Sequence, residues 1–152
     1  MPAFDLRSAV VLAVATFLTC ASVAADSVKI NVDENNVAIG GYDTVAYFTL
    51  AKPTKGDPRI EVKWADARWQ FVSAEHRDMF LRDPDRYAPR FGGFCALGIS
   101  RGYLSIVDPE AWQIVGDRLF LAYDKKSKDL IQENVPVVID RATTNWQTLR
   151  RH

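Results

Sequence analysis

The chain has 152 residues, and its 19 Lys plus Arg are balanced by 19 Asp plus Glu. A net charge of zero argues against a nucleic-acid partner, which needs a basic face, and against an electrostatic dock on an anionic membrane. Hydrophobic residues make up 48% of the chain, and all four Trp and six of the eight Phe lie beyond residue 25, so one ordinary domain has material for its own core.

The N-terminus reads as an export signal. Arg7 and the free amine give a positive start, residues 9–18 are apolar apart from Thr16, and Val23-Ala24-Ala25 forms a small-residue cleavage site before Asp26. The apolar run is short and mild for a membrane span. The expected organisation is a signal peptide over residues 1–25 and one domain over 26–152, periplasmic or secreted, with no integral membrane span after cleavage. Cys20 leaves with the signal, so Cys95 stands alone and no disulfide can form within the domain. No C-x-x-C, H-E-x-x-H, Gly-x-Ser-x-Gly or P-loop pattern occurs.

In chain order, residues 28–32 alternate apolar and polar as a short edge strand would. A Gly40-Gly41-Tyr42-Asp43 turn precedes the apolar residues 45–48, which fit a strand or a single helical turn. Pro53, Gly56 and Pro58 mark a surface loop. Residues 60–64 alternate cleanly, and 68–72 pair back on them through a tight turn at Ala65-Asp66-Ala67. Ser73 caps a helix over 74–82, with Glu75 near its positive end and Asp78 spaced to pair with Arg82. Asp83-Pro84 stops it, and 84–87 form a further helical turn. Gly92, Gly93 and Gly98 predict tight backbone.

Asp108-Pro109-Glu110-Ala111 reads as a capped helical turn. Residues 112–115 and 118–123 are strands joined by Gly116-Asp117. Asp124 caps a helix to about Asn134, with Lys128 at pairing distance. Pro136 opens a last helix whose inner stripe is Val138, Ala142, Asn145, Trp146 and Leu149. No internal repeat is visible. Strands mixed with helices and joined by local hairpins give an α+β class: one small domain with β-hairpins and short helices, its C-terminal helices packed on the sheet.

Trp69-x-Phe71-x-Ser73, followed by His76-Arg77-x-x-Phe80 and Asp83-Pro84-x-x-Tyr87, resembles the YHS domain. Gly40 to Phe48, Tyr87 to Ala96, Asp108 to Trp112 and Asn145-Trp146 resemble the exported, stand-alone branch of that family. The resemblance covers nearly all of residues 26–152. It implies a binding domain, since metal-binding relatives hold zinc, copper or other soft metals through cysteines before the hairpin, beside the strand-end aromatic and on the following helix. Here Ala46 and Tyr47, Val72 and His76 stand in those regions. Only His76 keeps a ligand-capable side chain, so the metal site does not carry over whole.

Three residues are candidate metal ligands. His76 offers an imidazole to copper or zinc, or is a hydrogen-bonded core histidine beside Met79 and Phe80. Cys95 offers a soft thiolate or a nucleophile; Phe94, Ala96 and Leu97 favour a buried thiol, whereas Gly92 and Gly93 could open its surroundings. Met79 adds a thioether that would suit Cu(I). Tyr42, Asp43, Tyr47 and Tyr87 could line a small polar ligand pocket, or serve turn formation and core packing. Arg77 and Arg101 fix an anion or pair with nearby acids.

The leading expectation is a non-enzymatic, exported YHS-like domain that binds a small ligand, with a copper or zinc ion as first candidate. The alternatives are a Cys-dependent enzyme or redox partner using Cys95 with His76, and a structural or protein-interaction module.

Overall fold

A computed structural model describes residues 28–151. The expected signal peptide over 1–25 lies outside them. The described chain is α+β: short helices and two two-stranded antiparallel hairpins. None of its helices is long and apolar enough to cross a membrane.

A 3-10 turn at Ile39–Gly41 leads into α1 (Ala46–Thr49). The first hairpin is β1 (Asp57–Trp64) with β2 (Ala67–Phe71). Its two-residue turn needs positive φ at both central positions, and Ala65 and Asp66 supply 48° and 59°. Then come α2 (Ala74–Arg82) and α3 (Pro84–Tyr87), capped by Ser73 and Asp83 through the His76 and Arg86 amides. A second 3-10 turn at Arg90–Gly93 leads into α4 (Ala96–Ser100). The second hairpin, β3 (Asp108–Val115) with β4 (Arg118–Ala122), turns at Gly116 and Asp117 and is followed by α5 (Lys125–Glu133) and α6 (Val135–Leu149). Helix α5 packs on β3 and β4, and α6 lies mainly against α4.

The order repeats. Strands of 8 and 5 residues and a helix of 9 recur at those lengths in both halves. Each long strand opens on Asp-Pro, and in each that aspartate accepts from the amide two residues on, Arg59 in one and Glu110 in the other. Both hairpins break register just after that aspartate. Asp83 and Asn134, which link the 9-residue helix to the next, sit at φ/ψ of −149°/72° and −152°/64°. The turns before each short helix match too: Ile39, Gly40 and Gly41 have φ of 52°, 59° and 80°, and Phe91, Gly92 and Gly93 have 56°, 61° and 79°. The domain is thus built from two copies of one turn–hairpin–helix unit. Few side chains recur between the units beyond the Gly-Gly turns and the Asp-Pro strand starts, so the likeness lies mainly in backbone geometry. At Gly92 a Cβ would run into the Lys29 carbonyl oxygen, whereas its counterpart Gly40 has open space there, so what the two turns share is positive φ.

Each unit has its own core, and β4 serves both. Leu119 and Leu121 face the first core, with Trp69, Phe71, Phe80 and Tyr47. Phe120 and Ala122 face the second, with Cys95, Ile99, Ile131, Ala142 and Trp146. Period-two alternation in a strand buried on both sides produces this division. On α6, Val138, Ala142 and Trp146 are buried as the stripe predicts, and the Asn145 amide donates to the Ile99 and Ser100 carbonyls.

Some local readings are corrected. Asp108-Pro109-Glu110-Ala111 begins β3 and is not a helical turn, because Pro109 meets the register break, where no ladder donor is needed. Residues 28–32 form no strand beyond a bridge from Val32 to Ala38. Residues 45–48 resolve as helix rather than strand. Asp78 pairs with Arg77 instead of Arg82, and α5 is braced by Lys125 and Asp129.

Candidate functional site

His76 sits on the inner face of α2 and is almost enclosed. Its Nδ1 lies 2.6 Å from Asp43 Oδ2 and its Nε2 lies 3.1 Å from Thr49 Oγ1. Asp43 is fully buried. Its Oδ1 accepts from the Val45 and Ala46 amides at 2.9 and 3.2 Å, and Oδ2 also accepts from Val72 at 2.9 Å. A carboxylate with four donors tolerates burial because every lone pair faces a donor. The pair ties the turn before α1 to the end of β2 and to α2. Both imidazole nitrogens are therefore engaged by this chain, the hydrogen-bonded core reading of His76.

Met79 packs, half-buried, beside the first core. Cys95 belongs to the second. The structure thus divides the three candidate metal ligands between two cores and does not bring them together. Among the described residues no three His, Cys, Asp or Glu side chains are grouped to hold a metal ion. His76 is not among the residues around the Cys95 cavity either, so the nucleophile–base pairing finds no shared site.

The four polar candidates lie in or beside the first core, each in a different role. Tyr42 lines a cavity of about 320 Å³ with Ile39, Lys55, Ile106 and Pro109. Asp43 holds the buried pair. Tyr47 is enclosed, edge-on to Trp112, and its hydroxyl donates to the Pro109 carbonyl at 3.0 Å. Burial pushes that phenol well above its ordinary range, with Tyr42, Glu110, Asp108 and Asp43 adding repulsion against the anion. Tyr87 packs edge-on against Phe48 under Arg86.

What sequence reasoning missed is the surroundings of Cys95. The thiol is 2% exposed, yet it forms part of the wall of a cavity of about 260 Å³ beside α4. Leu97 and Gly98 give the inner wall, Ser105 and Ser127 bring hydroxyls, and Arg101, Tyr103 and Tyr123 stand at the more exposed side. Ser105 is fixed there by its carbonyl, which accepts from the Cys95 amide at 3.2 Å. These residues come from two stretches, 95–105 and 123–127, which only the fold brings together. Arg77 pairs with Asp78, whereas Arg101 makes no ion pair among the described residues.

Comparisons with known protein families, with curated proteins and with solved structures return no match.

Proposed function

We propose that this chain is an exported YHS-like domain that binds a small organic ligand in the Cys95 cavity and does no chemistry on it. The observation that carries the reading is the cavity itself: a thiol wall, hydroxyls from two elements, apolar surface and two aromatic rings converge on one concave space, the usual make-up of a ligand site. The YHS part rests on the motifs at Gly40 to Phe48 and Trp69 to Ala96. Export rests on residues 1–25. A soft metal ion is the weaker candidate, because the wall offers one sulfur and no imidazole or carboxylate.

Cysteine labelling tests the cavity. In the native protein a small thiosulfonate should modify Cys95 quickly and a bulky maleimide slowly; in denaturant the two should converge. Labelling by the small reagent only at the rate of global unfolding refutes an open site. Tight Cu(I) uptake in chelator competition, lost in Cys95→Ser, would overturn the preference for an organic ligand.

A further inference from the structure

The repeat gives the Cys95 cavity a counterpart. Asp43 and Cys95 each follow a matched glycine turn, and each donates its amide to a carbonyl before the next hairpin, Thr54 in one unit and Ser105 in the other. His76 and Ser127 are each the third helical residue after the capping residues Ser73 and Asp124, and each amide is the one the cap accepts from. The cavity therefore lies where the first unit keeps its Asp43–His76 pair. Aspartate and histidine fill that space in one copy. Cysteine and serine are smaller, by about the bulk of one imidazole ring, and in the second copy the space is open to about 260 Å³.

We infer that the cavity takes a small planar organic acid, a single-ring carboxylate, whose ring takes the space that the His76 imidazole fills in the first unit and whose carboxylate meets Arg101 at the exposed side. This rests on the site proposed above and adds the chemical class. Volume sets the size, since about 260 Å³ lies at or below the lower end for small-molecule sites and admits a substituted single ring. Leu97 and the Tyr103 and Tyr123 rings offer apolar and aromatic surface to a flat body. Ser105 and Ser127 offer hydroxyls to ring heteroatoms or substituents. Arg101 is the only charged residue of the wall, is exposed, and makes no ion pair among the described residues, so its guanidinium is open to a carboxylate. The wall holds no carboxylate to attract a cation.

The experiment measures protection of Cys95 from a small thiosulfonate by benzoate, pyridine-3-carboxylate and imidazole-4-carboxylate, each beside its neutral amide, with saturation-transfer NMR as a second readout. At least one acid should slow labelling and show transfer, its amide should not, and Arg101→Gln on the surface should weaken binding about tenfold or more. Ser127→His, which returns the first unit's residue to the second, should abolish binding while leaving the unfolding midpoint near that of the parent. Amides protecting as well as acids, or an Arg101→Gln variant binding like the parent, would overturn the anionic class while leaving the cavity as a site. No acid protecting at up to about 10 mM, weaker than a built site should give, overturns the inference even if the thiol labels freely.

Discussion

Asp43→Asn isolates the buried pair of the first unit. The aspartate has two oxygens and four donors: Val45 and Ala46 on Oδ1, Val72 and His76 on Oδ2. An amide has one acceptor oxygen, so in either orientation two donors lose their partner and meet an NH2 group instead. Hydrogen bonds to a charged group contribute about 1.5–3 kcal/mol each, and those retained drop to neutral strength, about 1 kcal/mol. His76 recovers part of the loss by taking the other tautomer and accepting from the new amide. The net cost should be about 3–5 kcal/mol, from the charge-assisted hydrogen bonds lost at the buried carboxylate. With a urea slope of about 1–3 kcal/mol/M for a small protein, the midpoint should fall by about 1–5 M. A variant unfolding within about 0.5 M of the parent would show that the pair does not hold the first unit together.

Trp69→Ala should cost about 3–5 kcal/mol, since the indole is 1% exposed, stacks near Phe80 and donates to the Trp64 carbonyl; an unchanged midpoint would move the core elsewhere. Tyr47 should stay neutral in the folded protein at alkaline pH. Its raised pKa means that the stability tied to it is complete below the unfolded value of about 10 and is lost as pH rises above it, so absorbance near 295 nm should report its ionisation only on unfolding. Tyr47→Phe keeps the ring contacts, loses the bond to Pro109 at a cost of about 1 kcal/mol, and should flatten that alkaline loss. Asp57 is held at about 2 by the Arg59 side-chain hydrogen bond, so its contribution is present above its ordinary 3.8 and lost as pH falls towards 2; carbon-detected NMR should show that midpoint, returning towards 3.8 in Arg59→Ala. A midpoint indifferent to Arg59 would refute the pairing.

What the sequence determined is local. The hairpin turns near Ala65-Asp66 and at Gly116-Asp117, the caps at Ser73 and Asp124, the helix stop at Asp83-Pro84, and the buried stripe of α6 were legible because each depends on residues within a turn or two of one another. The α+β class followed from their order. The role of Asp108 was not legible, since Asp-Pro suits a helix start and a strand edge alike, and only pairing with Ala122 selects the strand. His76 and Cys95 were each read with two outcomes, and tertiary structure separated them. His76 meets a carboxylate that is local to another turn, far along the chain, and is satisfied there. Cys95 meets no such partner and is left in the wall of a cavity. Both follow from one backbone unit used twice: backbone conformation tolerates different side chains that keep turns, caps and apolar alternation, so two units of matching geometry share little sequence beyond Gly-Gly and Asp-Pro. Which copy closes on its own hydrogen-bonded Asp43–His76 pair and which stays open is decided by side-chain volume at equivalent places, a comparison that exists only once the chain is folded.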